Sequence, residues 1–189
     1  DALAAEDVPS LERVVVFGED ADGAQTFDAF LAEGDAVSEA AARERAEAVS
    51  PDDVADLIFT SGTTGRPKAV MATHLQNLKT FDVWITVVGL RAGDRYLIVN
   101  PFFHTFGYKA GWLACLMVGA TALPHAVFDA GAVLERIEAE GVTALPGAPS
   151  LYQSLLAHPD VGVRDLSSLR LAVTGAAPVP VELVERMRK

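Results

Sequence analysis

From residue 54 onward, short apolar runs alternate with segments whose apolar residues recur at helical spacing. The apolar runs predict strands at 56–62, 95–100, 120–125, 142–147 and 169–175. The segments between and after them predict helices at 73–89, 107–119, 129–141, 149–158 and 180–189. Strands that alternate with helices are typical of a parallel sheet with crossover connections. We therefore predict an α/β fold with a mostly parallel sheet.

Residues with known end preferences mark several of these helices. Thr73 and Gln76 have the spacing of a capping box at the start of the first helix. Asp129 suits an N-cap and Gly141 a helix stop, whereas Pro180 suits the first turn of the last helix. These signals support the assigned helix boundaries independently of the apolar periodicity.

The first 53 residues differ in composition from the rest of the chain. They contain 15 acidic and 3 basic residues, whereas residues 54–189 contain 11 acidic and 12 basic residues. The pattern predicts a short strand at 13–18, a turn with a short helix, and an alanine- and charge-rich stretch that ends at Pro51. We predict that residues 1–53 form an acidic connector at the end of a preceding subdomain, and that 54–189 form an α/β subdomain truncated before its C-terminal end.

Composition excludes several classes of protein. Half of the residues are hydrophobic and 22% are charged, which indicates a folded core. The sequence contains no basic patch, so a nucleic-acid partner is not favoured. The single Cys115 excludes an internal disulfide and suits a reducing, cytoplasmic environment. Its apolar neighbours favour a small core residue over a nucleophile.

The longest stretch without formal charge does not predict a membrane span. Residues 110–128 are uncharged with neutral histidine, but Gly111, Gly119 and Pro124 interrupt them. A buried helix followed by a strand explains this stretch better than a transmembrane helix.

Small, polar or aromatic residues follow each predicted strand. The sequences are TSGTTG, NPFFHTFG, PHAVFD, PGAPS and TGAAP. In open parallel sheets, ligands bind beyond the carboxyl ends of the strands. We therefore expect all five loops to lie at one edge of the sheet and to form a ligand site there.

The loop from Thr60 to Lys68, TSGTTGRPK, has the composition of an anion site. Its glycines let backbone N–H groups approach an anion, its hydroxyls add donors, and Lys68 adds a positive charge. A P-loop hydrolase or kinase is disfavoured because no lysine–hydroxyl pair follows Gly65. The structural alternative is a solvated hairpin loop, although a simple turn requires neither four hydroxyls nor the following Pro-Lys.

TSGTTGRPK together with NPFFHTFG resembles the AMP-forming adenylating superfamily, which includes acyl-CoA synthetases, firefly luciferase and nonribosomal peptide adenylation domains. The signature loop of that family is TSGTTGxPKG, and Ala69 replaces its last glycine. The resemblance spans nearly all of residues 50–189 and implies part of the large N-terminal domain of an adenylating enzyme. Within the family, the run from Arg95 to Thr121 is most similar to actinobacterial CoA ligases that act on steroid side-chain propanoates.

The resemblance implies roles for three groups of residues. The phosphates of ATP would be held by Thr60, Ser61, Gly62, Thr63, Thr64, Gly65 and Lys68. The adenine would lie against Gly175, Ala176, Ala177 and Pro178. The acyl and adenylate pocket would be formed by Phe103, His104, Phe106, Gly107 and Gly147, with His104 and Lys68 in catalytic roles.

The implied reaction is carboxylate adenylation by Mg·ATP, followed by thioester formation with coenzyme A. The expected partners are a small carboxylic acid, ATP and coenzyme A. The edge strand of a truncated sheet has unpaired backbone groups, so a homodimer that pairs through this edge is also expected. The alternatives are an adenylation domain that loads a carrier protein and a non-catalytic ATP- or AMP-binding module. The family's glutamate and ribose-aspartate motifs and its C-terminal lysine domain have no match here, and Glu182 and Glu185 are read as a solvated helix face. We therefore expect a fragment that is inactive in isolation.

Overall fold

The structure is a computed structural model that describes residues 9–18, 23–61, 65–175 and 177–188. The chain divides into two compact units, Asp1–Ser50 and Pro51–Lys189.

The first unit contains short elements. Strand β1 (Val15–Val16) pairs in parallel with β2 (Gln25–Thr26), so the strand expected at 13–18 is two residues long. Helix α1 (Phe27–Ala32), a 3₁₀ turn (Glu33–Ala36) and helix α2 (Glu39–Glu47) follow. None of the described residues of this unit is buried. Local capping therefore matters here, and the hydroxyls of Thr26 and Ser38 accept the N–H groups that begin α1 and α2.

The second unit begins with a β-hairpin. Strand β3 (Val54–Thr60) pairs antiparallel with β4 (Lys68–Thr73), which confirms that the residues on both sides of the glycine-rich loop are extended. These two strands form a sheet of their own. The expectation that all five loops lie at the edge of one parallel sheet is therefore wrong for TSGTTG, because the next strand returns at once beside β3 instead of crossing over through a helix.

The other strands form the predicted parallel sheet. Its strands are β5 (Arg95–Ile98), β6 (Thr121–Pro124), β7 (Ala144–Gly147) and β8 (Leu171–Thr174). Their order in the sheet is β6–β5–β7–β8, and every pairing is parallel.

The helices begin and end close to the predicted positions. Their bounds are α3 (His74–Val88), α4 (Thr105–Gly107), α5 (Ala114–Val118), α6 (Ala130–Glu140), α7 (Pro149–Ala157) and α8 (Val181–Met187), with a 3₁₀ turn at Pro159–Gly162. Thr73 and Gln76 form a complete capping box, and Asp129 caps α6 through its carboxylate. Gly141 ends α6 in the left-handed conformation. Pro180 is the N-cap of α8.

The predicted apolar helix at 107–119 is not uniform. A π-helical turn, Tyr108–Leu113, separates α4 from α5. The N–H of Ala114 donates to the carbonyl of Lys109, five residues earlier. The turn places three consecutive residues in the interior, namely Lys109, Ala110 and Gly111.

The core covers both faces of the parallel sheet. On β5, Leu97 belongs to a cluster that includes residues of α6, α7 and α8. Its neighbours Tyr96 and Ile98 belong to a second cluster with residues of α3 and α5. Alternate side chains of one strand thus pack on opposite layers, which explains why the strands are apolar throughout.

Cys115 lies in the second cluster and is 1% exposed, which confirms the core assignment. Burial raises the pKa of its thiol to about 12, and the negative charge of Asp94 acts in the same direction. In the part of the chain that the structure describes, no helix is long and apolar enough to cross a membrane.

Candidate functional site

The carboxyl ends of the parallel strands carry four of the five predicted loops. The side-chain amide of Asn100, after β5, donates to the carbonyl of Pro146 in β7 at 3.2 Å. This bond ties together the ends of two adjacent strands. The loops after β5, β6, β7 and β8 share this edge because their strands are parallel.

The hydroxyl-rich loop connects the two strands of the β3–β4 hairpin. Thr60 is paired with Lys68, and its hydroxyl donates to the carbonyl of Lys68 at 3.4 Å. Thr60, Ser61, Gly65 and Lys68 are all exposed. Gly65 has φ +82°, a left-handed conformation that favours glycine. The remaining phosphate-loop candidates, Gly62, Thr63 and Thr64, lie outside the described residues.

The side chain of His104 caps the N-terminus of α4. Its Nδ1 accepts the backbone N–H of Phe106 at 3.1 Å, which makes His104 the N-cap of α4. Since Nδ1 is an acceptor, the neutral ring carries its proton on Nε2, the nitrogen that this cap leaves for a ligand. His104 and the neighbouring Phe103 are exposed.

Gly107 and Gly147 are both buried. A Cβ on Gly107 would lie 2.3 Å from the carbonyl oxygen of Pro101, so only glycine fits against this backbone. A Cβ on Gly147 would instead meet the flexible side chain of Leu151 at 2.8 Å. Gly107 therefore sets the path of the chain around His104, in addition to any contact with a ligand.

Two motifs that are far apart in the sequence line one pocket. This pocket, called here the Trp84 pocket, measures about 200 Å³. Its lining residues are Trp84, Phe106, Val173, Thr174 and Gly175. Phe106 comes from the motif after β5 and Gly175 from the TGAAP motif after β8. The rings of Trp84 and Phe106 meet edge to face, with their centroids 6.1 Å apart.

The other adenine-site candidates follow directly after this pocket. Ala177 and Pro178 are exposed, and Ala176 lies outside the described residues.

A second groove, of about 460 Å³, lies at the ends of β5 and β6. Phe102, Phe103 and His125 contribute to its lining. Nδ1 of His125 is 3.2 Å from Nη1 of Arg136, which can only donate, so the proton of the His125 ring belongs on Nε2. Sequence reasoning did not select His125, because a single histidine after a strand has no distinctive spacing.

A buried polar cluster, missed by sequence reasoning, joins the hairpin to the helices. We call Asp56, Asn77 and Lys109 the buried triad. Nζ of Lys109 donates to Oδ1 of Asp56 at 2.9 Å and to Oδ1 of Asn77 at 2.7 Å. Nδ2 of Asn77 donates to the other carboxylate oxygen of Asp56 at 2.6 Å. The only local signal was a lysine inside the apolar run GYKAGWLACLMVG.

Two tyrosine hydroxyls donate hydrogen bonds to backbone carbonyls near the parallel sheet. The hydroxyl of Tyr96 donates to the carbonyl of Ala110 in the π-helical turn at 2.6 Å. The hydroxyl of Tyr152 donates to the carbonyl of Leu145. Burial raises the pKa of both phenols, so both remain neutral donors.

Comparison with protein families gives a match over almost the whole chain. The family model described as AMP-binding enzyme matches residues 2–189.

Two curated relatives share the same name, 3-[(3aS,4S,7aS)-7a-methyl-1,5-dioxo-octahydro-1H-inden-4-yl]propanoyl:CoA ligase. The one from Rhodococcus jostii (strain RHA1) is 55% identical over 184 residues, or 96% of this chain and 36% of the relative. The one from Mycobacterium tuberculosis (strain ATCC 25618 / H37Rv) is 53% identical over 181 residues, or 96% and 35%. The chain thus spans about a third of the length of these relatives.

Solved structures give the same result. The anthranilate CoA ligase AuaEII, in complex with anthranoyl-AMP, matches with a TM-score of 0.82 and 32% identity, over 97% of this chain and 35% of that one. The N-terminal domain of FACL13 from Mycobacterium tuberculosis matches with a TM-score of 0.70 and 27% identity, over 87% and 40%.

Proposed function

Because the chain belongs to the AMP-binding enzyme family, we propose that the protein containing it is an ATP-dependent, AMP-forming acyl-CoA ligase. The observation that carries the proposal is the Trp84 pocket, in which Phe106 and Gly175 meet although they are 69 positions apart in the sequence. The CoA ligases among its relatives and structural neighbours support the same reaction class.

In this proposal, ATP binds between the hairpin loop and the end of β8. The phosphates contact Thr60, Ser61, Gly62, Thr63, Thr64, Gly65 and Lys68. Lys68 begins β4 directly opposite Thr60, so the hairpin holds its charge beside the hydroxyl-rich loop. The adenine lies against Gly175, Ala176, Ala177 and Pro178. Fixed donors and a positive charge stabilise the charge that builds up on the phosphates during transfer.

The acid is proposed to enter between the β5 and β8 loops. Its pocket would be formed by Phe103, His104, Phe106, Gly107 and Gly147. A carboxylate oxygen attacks the α-phosphorus, the bond to the β-phosphate oxygen breaks, and pyrophosphate leaves. A thiol sulphur then attacks the acyl carbon, the thiol loses its proton, and AMP leaves with the electron pair of the broken C–O bond. His104 presents its Nε2 side near the acyl group, and Lys68 acts on the phosphates.

Magnesium enters the proposal only as the ion that accompanies ATP. Within residues 9–18, 23–61, 65–175 and 177–188, no group of three or more His, Cys, Asp or Glu side chains could hold a metal ion. Mg²⁺ that accompanies ATP is held largely by the phosphates and water with one or two carboxylates, so it does not require such a group.

The finer parts of the proposal concern the acid and its setting. The names of the two curated relatives favour a bicyclic, indene-derived propanoate as the acid. Together with the sequence resemblance to ligases of steroid side chains, this favours a role in steroid and lipid breakdown, and the cytoplasm is the proposed location. The chain by itself is proposed to be inactive, as part of a longer ligase. A homodimer is also proposed, through β6 or β8, the edge strands of the described parallel sheet.

The test is carboxylate-dependent ATP–pyrophosphate exchange by the full-length protein, with acetate, medium-chain acids, aryl acids and bicyclic propanoates. Lys68→Ala should lower exchange strongly, whereas Lys79→Ala, at an exposed position of α3, should not. Acyl-CoA formation in a second assay supports the ligase, and transfer only to a phosphopantetheinyl protein supports carrier loading. Nucleotide binding without any acid-dependent exchange would contradict the proposal and favour a non-catalytic module.

A further inference from the structure

The β3–β4 hairpin carries the phosphate loop, residues 60–68, but has little apolar packing to hold it in place. Both strands are described in full, and none of their residues is buried. The side chains of Leu57 and Phe59 are 56% and 69% exposed. Apolar contacts are also non-directional, so they do not determine how a strand is shifted along its neighbours. The position of the hairpin therefore depends on directional bonds to the rest of its unit.

The buried triad supplies such bonds as a closed ring. The ammonium of Lys109 donates to Asp56 and to Asn77, and the amide of Asn77 donates to the second carboxylate oxygen of Asp56. Asn77 and Lys109 are both buried. Since each member contacts the other two, none of them can shift without stretching two bonds. Bonds to charged groups are short and strong, so the ring fixes β3 against α3 and the π-helical turn.

Stability alone does not explain a lysine at this buried position. The π-helical turn places Lys109, Ala110 and Gly111 together in the interior, whereas lysines ordinarily extend their ammonium group into water. Replacing a buried ion pair with apolar side chains of similar volume is often neutral or stabilising. The property that apolar side chains would not reproduce is a defined register between the elements that the ring joins.

We propose that Lys109 is a positioning residue for adenylation, which acts through Asp56 to hold the phosphate loop in register with His104. The inference rests on the proposed acyl-CoA ligase function and concerns how that site is held together. β3 leads from Asp56 into the phosphate loop, and the helical segment leads from His104 to Lys109. The ring thus connects the motif proposed to bind the phosphates with the motif proposed to bind the acid. The reacting carboxylate and the α-phosphorus must meet in line, and a misplacement of about 1 Å costs on the order of 100-fold in rate.

A positioning role predicts a particular kinetic pattern for Lys109→Met in the full-length protein. The groups that contact ATP and the acid stay within their own motifs, so the KM values for both substrates should change little. The register between the motifs is lost, so kcat for ATP–pyrophosphate exchange should fall about 10- to 100-fold. The kinetics use the acid that the wild type uses best, under conditions in which unfolding curves show each variant to be folded.

Arg170→Met is the control for lost stability. Arg170 pairs with the buried carboxylate of Asp94 at the amino ends of β8 and β5, away from the loops at the carboxyl ends. Breaking this pair also leaves a buried carboxylate without its cation, so the variant should be less stable than the wild type. Its kcat should remain at the wild-type value, because neither motif is displaced.

A second comparison separates register from stability. The triple variant Asp56→Leu, Asn77→Leu and Lys109→Met makes the whole triad apolar and leaves no buried charge unpaired. It should unfold at a higher urea concentration than Lys109→Met, yet its kcat should stay low, because apolar packing does not restore the register. Lys109→Arg retains a cation that can donate to both partners, and it should keep more of the wild-type kcat than Lys109→Met.

The outcomes distinguish the inference from the proposed function. A low kcat in Lys109→Met and in the triple variant, with unchanged kcat in Arg170→Met, supports the inference. Wild-type kcat in Lys109→Met, a loss confined to KM, or recovery of both stability and kcat in the triple variant overturns it while the ligase function stands. If the triple variant does not fold, the comparison of Lys109→Met with Lys109→Arg and Arg170→Met decides in the same way. Absence of exchange by the wild type with every acid would overturn the proposed function, and this inference with it.

Discussion

Nζ of Lys109 lies 2.9 Å from Oδ1 of Asp56, and the two side chains are 8% and 13% exposed. Asp56 lies four residues before Thr60, the last residue of β3, and Lys109 lies five residues after His104. The ion pair therefore joins the strand that leads into the phosphate loop to the helical segment that begins at His104. Because Asn77 contacts both charged groups, α3 is tied into the same network.

Breaking the buried triad should destabilise the protein. Lys109→Met leaves the carboxylate of Asp56 buried without its cation, and removal of one partner of a buried pair typically costs about 3–5 kcal/mol. The measurement is urea unfolding of the full-length protein, with Lys79→Met as the exposed control. Adding Asp56→Asn to Lys109→Met should recover part of the loss, since the uncompensated charge is gone. Equal stability of Lys109→Met and the wild type would exclude a structural role for the ion pair.

The carboxylate of Asp94 should cause the free energy of unfolding to fall as the pH becomes acidic. Burial alone would raise the pKa of its carboxyl, but hydrogen bonds from the Arg91 N–H, the Thr143 hydroxyl and Arg170 outweigh burial and lower it. Since the folded-state pKa lies below the unfolded one, the stabilisation is present at neutral pH. It is lost as the pH falls below about 4 and through the folded-state pKa.

Asp94→Asn should accordingly lower the free energy of unfolding by about 1–3 kcal/mol at pH 7 and flatten its decline below pH 4. Unfolding curves between pH 7 and pH 2.5 test this directly. Asp82→Asn, at an exposed position on α3, is the matched control. Parallel pH profiles for Asp94→Asn and the wild type would show that this carboxyl does not carry the effect.

Gly107→Ala should impair catalysis strongly, although the substitution adds only one methyl group. The added Cβ would overlap the carbonyl oxygens of Pro101 and Asn100, at 2.3 and 2.4 Å, so the backbone around His104 must move. A shift of about 1 Å in a reacting group costs on the order of 100-fold in rate. Steady-state kinetics of the full-length protein measure the loss. Gly34→Ala, where a Cβ meets nothing within 4 Å, should leave kcat/KM unchanged, and comparable losses in both variants would contradict the explanation.

Cys115 should resist alkylation in the folded protein. Its thiol is 1% exposed and has a pKa of about 12, so almost no thiolate forms at pH 8. Iodoacetamide labelling followed by mass spectrometry should detect modification only after denaturation. Leu116→Cys in a Cys115→Ala background is the control, since Leu116 is 72% exposed and its replacement should react readily. Rapid labelling of native Cys115 would show that the segment opens.

Much of the fold follows from local signals. The capping box at Thr73 and Gln76 and the pair Asp129 and Gly141 determine helix ends through contacts within a few residues, and the sequence reveals such contacts. The extended character of Lys68–Thr73 was also predictable. Its antiparallel pairing with Val54–Thr60 was not, because alternation of strands and helices had suggested a single parallel sheet.

The residues of the candidate site also fall into two groups, those that the sequence reveals and those that only the three-dimensional structure reveals. His104 and Gly175 could be found because they belong to recognisable motifs. Lys109 and Asp56 could not be paired in advance, since 53 positions separate them and no local pattern connects their strands and helices. Trp84 and Thr174 gave no signal either, because a pocket is defined by what surrounds it in three dimensions.

The π-helical turn at Tyr108–Leu113 contains one residue more than an α-helical turn, and deleting one residue there would restore regular α-helix. Because the turn absorbs its extra residue locally, the helix after it would keep its register, and Cys115 would stay in the core. A deletion in the regular helix that follows would instead rotate the two sides by about 100° relative to each other. The turn is therefore the place where this helix can lose a single codon during evolution without exchanging its buried face for its exposed one.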